Sequence, residues 1–258
     1  MTTILDDFSL EHPDNKNFGK TRRLKALSSR SSEFVEVEKL FSKGWQHPDK
    51  KKPKVSRIFK ILASAQDLNG YHTYRAAVAS SPSVKDRSKN PANEQLLFHG
   101  TNRYCSLGED AGKSRLCHLS RCYLCRIIRS SFDISKCGSK HKFRRFGHGV
   151  YTTACSSKAD DYSKNGEENS QFRAVLVSRV VVGNPHKRRF NATELTEPPC
   201  GHHSVLGEPG GDLNYEETVV YDNDAIRPAY LVIYGDAPAF KGNFKSLVVN
   251  LFKTPLAS

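Results

Sequence analysis

The chain has 258 residues, a formal net charge of +13 and 37% hydrophobic residues, enough for one large domain with a buried core. No run approaches the ~20 apolar residues of a membrane span, and the start, Met1-Thr-Thr-Ile-Leu-Asp-Asp, has an acidic pair where a secretory signal would be apolar. Seven cysteines are an odd number and cluster, which favours thiols or a metal over a disulfide framework and predicts a cytoplasmic or nuclear location.

In chain order, residues 1–31 read as a loosely attached polar lead, rich in Ser, Asp, Lys and Arg and without periodicity. Phe34, Val37, Leu40 and Phe41 recur at helical spacing, with a serine available as cap, and predict a helix over 32–41. A strand is expected at 55–62, a helix at 66–78 and a strand at 96–98. The segment 102–146 is a cysteine-rich insert with a short helix over 124–132. Ser156 or Ser157 is expected to cap a helix that includes Tyr162. Phe172-Arg-Ala-Val-Leu-Val-Ser-Arg-Val-Val-Val182 is the strongest strand signal, and its near-continuous branched residues predict burial on both faces. A Gly/Pro/His-rich loop over 198–213 and strands at 217–221 and 230–234 follow. The expected organisation is an α+β domain over 32–240 with a tail over 241–258. Basic runs at Lys50-Lys-Lys-Pro-Lys54, from Lys136 to Arg145, and at His186-Lys-Arg-Arg189 fit either attraction to phosphate or a solvated face.

One ordered set of residues carries chemistry. His99-Gly-Thr closes the apolar run Glu94-Gln-Leu-Leu-Phe98, so a histidine and a bare backbone emerge at a strand end. Tyr151 and Tyr162 are two aromatic faces, and Glu217 heads the branched strand Thr218-Val-Val-Tyr221. Phe146-Gly-His-Gly-Val-Tyr151, Ser157-Lys-Ala-Asp-Asp-Tyr162, His203-Ser-Val and Glu217-x-x-Val-Tyr-Asp222, in this order, resemble the catalytic domain of the poly(ADP-ribose) polymerase-like ADP-ribosyltransferases of the His-Tyr-Glu class. The resemblance covers roughly residues 35–235, and the wording of the insert is similar to fungal members.

The resemblance implies a split β-sheet fold with peripheral helices, NAD as substrate, and a triad of His99, Tyr151 and Glu217. Glu217 would bond the ribose hydroxyl beside the reacting carbon. Tyr151 and Tyr162 would sandwich the nicotinamide. His99 would hold the adenosine-side ribose, Gly100 the carboxamide, and Thr101 a nearby ribose, with Ser157 and His203 among the binding residues. Only one of Glu216 and Glu217 can enter the site because successive strand residues face opposite ways, and the spacing to Asp222 selects Glu217. Where the family has a serine that donates to the carboxamide, this chain has Ala159, so that contact is missing or is replaced by Ser156 or Ser157. A helical regulatory domain ahead of the catalytic one is not expected in the short stretch before His99.

Cys105, Cys117, Cys122 and Cys125 suit a structural zinc, with Cys137 or His118 as reserve, stapling a loop too polar to pack alone. Cys155 reads as core. The expected reaction is transfer of ADP-ribose, as a single unit, to a protein or nucleic-acid acceptor. Its rivals are hydrolysis of NAD and an inactive, basic, zinc-containing nucleic-acid-binding module.

Overall fold

The computed structural model describes residues 23–84, 90–136, 144–166 and 170–235. Cys137, the tail over 241–258, most of the polar lead and most of the basic run before Arg145 lie outside these residues. The fold is α+β, with two sheets and flanking helices. The first sheet is antiparallel and runs in the order β1 (Leu24–Ala26), β2 (Val55–Ile61), β9 (Ile226–Tyr234), β5 (Arg173–Val181), β3 (Glu94–His99). The second runs β4 (Val150–Thr152), β8 (Glu217–Val220), β7 (Ser204–Gly207), β6 (Pro185–Arg188), and only β6 and β7 pair in parallel.

The branched run of β5 is buried at every position after Arg173 because both faces of the first sheet are covered. On one face Val175, Val177, Tyr230 and Val232 pack with Phe34, Val37 and Phe41 of helix α1 (Ser32–Gly44). On the other, Leu176, Val180, Leu231 and Ile233 meet Leu107, Leu124, Ile127, Ile128 and Phe132 of the insert. The insert therefore fills part of the main core, contrary to the expectation of a loop too polar to pack. Helix α3 (Tyr123–Ser130) supplies most of that apolar side.

Local chemistry explains the helix ends. Ser31 caps α1 by accepting the Phe34 N–H at 3.2 Å. Helix α2 (Ala65–Ser80) starts in a capping box, in which Ser64 accepts from the Asp67 N–H and Asp67 accepts from the Ser64 N–H. Helix α4 (Ser156–Tyr162) differs from expectation. Its cap is Cys155, with no side-chain cap bond, and both serines sit inside the first turn.

Two further expectations are corrected. Leu24–Ala26, assigned to the lead, is an edge strand on β2 with Leu24 buried, so the fold begins earlier than residue 32. The loop over 198–213 contains β7, whose residues Ser-Val-Leu-Gly are too few to show a period in sequence.

Candidate active site

The two sheets meet at one antiparallel bridge, Phe98 with Thr153, whose backbone groups exchange bonds of 2.8 and 3.1 Å. This seam puts His99, the last residue of β3, beside β4. In the β4–β8 pairing Tyr151 lies opposite Val219, and strand alternation then puts Glu217, two residues earlier, on the same face as Tyr151. His99, Gly100, Thr101, Tyr151, Tyr162 and Glu217 line one cleft of about 1480 Å³.

Each wall is fixed by a specific contact. The Tyr151 carbonyl lies 2.9 Å from His99 Nδ1 and can only accept, so that nitrogen carries the proton. The His99 ring stands edge-on to Phe132 at 5.0 Å. The Tyr151 hydroxyl accepts from the Phe146 N–H and donates to the Gly147 carbonyl, each at 2.9 Å, which locks the phenol onto the preceding turn. Gly147 has φ 67°, and a Cβ there would come within 1.8 Å of the Leu195 carbonyl oxygen. At Gly100 a Cβ would lie 1.9 Å from the Ala159 carbonyl oxygen, so only glycine lets the end of β3 touch α4.

Glu217 is 8% exposed, at the head of β8. Its Oε1 lies 2.9 Å from Lys158 Nζ, and Arg145 Nε stands 3.9 Å from Oε2. Oε2 is buried and makes no hydrogen bond among the described residues. Burial pulls the Lys158 ammonium below its ordinary range, against the upward push of the Glu217 charge. Burial, and then Glu217, push the Tyr162 phenol up. Glu216 is absent from the cleft lining; its carbonyl accepts the Thr153 hydroxyl at 2.7 Å, and burial raises its carboxyl.

This arrangement is a deep cleft with aromatic walls, one histidine at a strand end and one carboxylate flanked by cations. A model of the poly(ADP-ribose) polymerase catalytic domain matches residues 31–235. The chain belongs to this family. Its fold is that of an NAD-dependent ADP-ribosyltransferase, and NAD is the substrate such a domain binds.

Not every residue expected at the NAD site of this PARP domain reaches it. Ser157 is fully buried and accepts the N–H groups of Gln46 and His47 at 2.9 and 3.1 Å, tying α4 to the segment after α1. Ser156 is also fully buried and donates to the Phe41 carbonyl at 2.7 Å. Neither lines the cleft, so neither replaces the hydroxyl missing at Ala159, which does line it. His203 lies one residue before β7, on the far side of β8 from Tyr151, and its Nδ1 accepts the Asn184 N–H at 3.1 Å. Burial lowers its pKa, and it too is outside the cleft lining.

Other residues enter the site of this PARP domain without having been singled out. Lys158 sits inside the Ser157-to-Tyr162 block, so the residue was in view, but its pairing with Glu217 exists only in the fold. His47 had no such signal. It lines the cleft, stacked on Tyr215 at 4.0 Å, because α4 holds its backbone from 110 residues away.

In the insert, one ligand atom each from Cys105, Cys117, Cys122 and Cys125 lie within 4.8 Å of one another. The Cys105 sulfur is 3.8 Å from that of Cys122 and 3.5 Å from that of Cys125. Zinc–sulfur bonds of ~2.3 Å in a tetrahedron need sulfurs ~3.8 Å apart, so the group fits this ion. Hydrogen bonding among the thiols holds Cys122 far below the usual thiol range, while Cys105 is pushed up to about 12 and Cys125 is also raised. Arg129 of α3 donates to the Cys117 carbonyl. Exposed His118 is outside the group, and Cys155 is core, as expected. The same helix whose first turn carries Cys125 turns Tyr123, Arg126 and Ile127 to the cleft.

Proposed function

We propose that the chain cleaves NAD at the bond between nicotinamide and ribose and transfers a single ADP-ribose unit to a protein or nucleic-acid acceptor. The observation that carries this reading is Glu217 Oε2, buried and without a hydrogen bond in the cleft it shares with His99 and Tyr151. Nicotinamide is a good leaving group because it departs from a pyridinium, so the barrier lies in the cationic ribose that forms as it leaves. A carboxylate placed beside that cation, in a site shielded from water, lowers the barrier electrostatically. Lys158 holds Oε1 and leaves Oε2 to accept the ribose hydroxyl next to the reacting carbon. Tyr151 and Tyr162 take the two faces of the nicotinamide ring, each worth ~0.5–1.5 kcal/mol beyond its buried area. Gly100 offers backbone to the carboxamide, and His99 and Thr101 hold the ribose on the adenosine side.

Zinc on the four cysteines has a structural part in this scheme, fixing the start of α3 so that the helix forms one wall of the cleft. Thiol ligands of this kind suit the reducing cytoplasm or nucleus.

The test is incubation of the full chain with adenine-labelled NAD and separate pools of protein, DNA and RNA. The expected result is nicotinamide release matched by label on a macromolecule, with the mass of one ADP-ribose per site. Free ADP-ribose as the sole labelled product would assign NAD hydrolysis instead, and a ladder of masses would overturn single-unit transfer.

A further inference from the structure

The insert joins its four cysteines to the NAD cleft by three routes. The first is the chain itself, since the loop that leaves β3 at His99 reaches Cys105 six residues later. Within that loop the Asn102 carbonyl accepts the Leu124 N–H at 3.1 Å, and the Tyr104 N–H donates to Cys122 Sγ at 3.3 Å. Residues 99–105 are therefore laced to the first turn of α3. The second route is that helix, which turns Tyr123, Arg126 and Ile127 to the cleft. The third is Phe132, just past its end, buried and edge-on to the His99 ring at 5.0 Å. A shift of the cysteines is thus felt at His99, Gly100 and Thr101.

The four sulfurs differ in access. Cys105 and Cys117 are half-buried, whereas Cys122 and Cys125 are buried. Zinc keeps each of them as a thiolate, and a small oxidant meets the half-buried ones first. Cys105 has Cys125 at 3.5 Å and Cys122 at 3.8 Å, and Cys122 already accepts the Tyr104 N–H. Cys125 is the sulfur best placed to react with an oxidised Cys105.

We propose that the cysteine cluster is a peroxide-sensitive modification site that controls NAD binding: a Cys105–Cys125 disulfide forms, zinc leaves, and the α3 wall of the cleft loosens. This rests on the zinc and transferase readings above and names how that site is regulated. The Cys105 thiolate attacks one oxygen of hydrogen peroxide, the S–O bond forms, the O–O bond breaks and hydroxide leaves. The Cys125 thiolate then attacks the sulfur of that sulfenic acid, the S–S bond forms and a second hydroxide leaves. The sulfurs give up two electrons, peroxide takes both, and the two hydroxides are neutralised by the buffer. Cys117 and Cys122 alone do not make a closed tetrahedral site, so zinc passes to solution. Disulfide sulfurs stand ~2.0 Å apart, which draws Cys105 and the loop behind it toward α3. Glu217 and Lys158 belong to β8 and α4, not to this loop. The loss therefore falls on NAD affinity rather than on the step at the ribose.

The experiment uses full-length, zinc-loaded protein treated with hydrogen peroxide. Zinc release is read with a colorimetric chelator, disulfides by peptide mass mapping, NAD affinity by calorimetry and turnover by nicotinamide release. Zinc should leave in step with a Cys105–Cys125 linkage, NAD should bind about tenfold more weakly, and dithiothreitol with added zinc should restore both. KM should rise while kcat changes little, the pattern of lost ground-state binding. Cys200→Ser removes an exposed thiol outside the group and should respond as wild type does. Cys105→His keeps a fourth ligand for zinc but cannot make the disulfide, and it should retain zinc and NAD affinity under the same treatment. A first disulfide between other cysteines, or zinc loss with NAD affinity unchanged, overturns the proposal. Both are read on wild type, so they decide the matter even if Cys105→His does not fold. Protein that holds no zinc rejects the zinc reading and this proposal together. If neither reduced nor oxidised protein releases nicotinamide, the transferase reading fails, while zinc, disulfide and NAD affinity still decide whether the switch exists.

Discussion

Glu216 and Glu217 are neighbours at a strand end, yet only Glu217 lines the cleft, because successive strand residues point to opposite faces. Glu216→Gln should leave turnover close to wild type, and steady-state kinetics with NAD checks this. Ala159 supports a second expectation. It lines the cleft, while the nearby hydroxyl of Ser156 is bonded to Phe41 of α1 and that of Ser157 to the segment after α1. Ala159→Ser should therefore restore a donor and tighten NAD binding by ~0.5–1.5 kcal/mol, a factor of roughly 2–10 in Kd by calorimetry. Unchanged or weaker binding would mean that the hydroxyl does not face the carboxamide. His99, Tyr151 and Glu217 were legible at this scale because each lies on a strand within a distinctive block. The error over Ser157 has a physical source: its partners, the N–H groups of Gln46 and His47, lie 111 and 110 residues away and leave no trace near it in the chain. Lys158 was legible as a residue but not as the ion-pair partner of Glu217, which only the folding of α4 against β8 creates.

Among the elements, α2 offers a pH test. Burial would raise the Asp67 carboxyl, but the Arg23 hydrogen bond and the Ser64 contacts outweigh it and hold the group below its ordinary 3.8. A carboxyl with a depressed folded pKa contributes stability above its unfolded value and loses it as pH falls through the folded one. Asp67→Asn should thus be less stable than wild type near neutral pH, and the difference should shrink below pH 3.8. Denaturant melts across pH read this, and a difference independent of pH would assign the loss to packing. Helix α3 carries the other test. Full-length protein should hold one zinc per chain by metal analysis. Cys122→Ser with Cys125→Ser should lose it and lower Tm by roughly 5–15 °C. Both cysteines are buried in the same core as Ile127 and Ile128, so release of the ion should also loosen the cleft wall. Helices α1 and α2 were legible from their apolar spacing, and α1 also from its serine cap, whereas the cap of α4 was not. The strands β4, β6 and β7 were not, because they are short and, unlike β8, lack a run of branched residues, so their identity comes from the strand they pair with.

Over the whole molecule, the split into two sheets, which meet among the described residues at the bridge of Phe98 with Thr153, is what makes a site from distant residues. β5 and the second half of β9, Tyr230 to Tyr234, could be read as strands, since both faces of their sheet are filled and their sequences are rich in branched and aromatic residues. The junction of Phe98 with Thr153 could not, as neither residue carries a signal for the other. The same holds for charge. A basic run at Lys187 to Arg189 is visible in sequence, but the bond from Arg145 to Asn191, just beyond it, is not. The proposed reaction turns on one carboxylate stabilising a ribose cation. Its most direct measurement is the rate of nicotinamide release by wild type and Glu217→Gln, with NAD affinity measured on both. A fall of about two orders of magnitude or more in release, with NAD still bound, is the predicted result. Equal rates in the two proteins would contradict it.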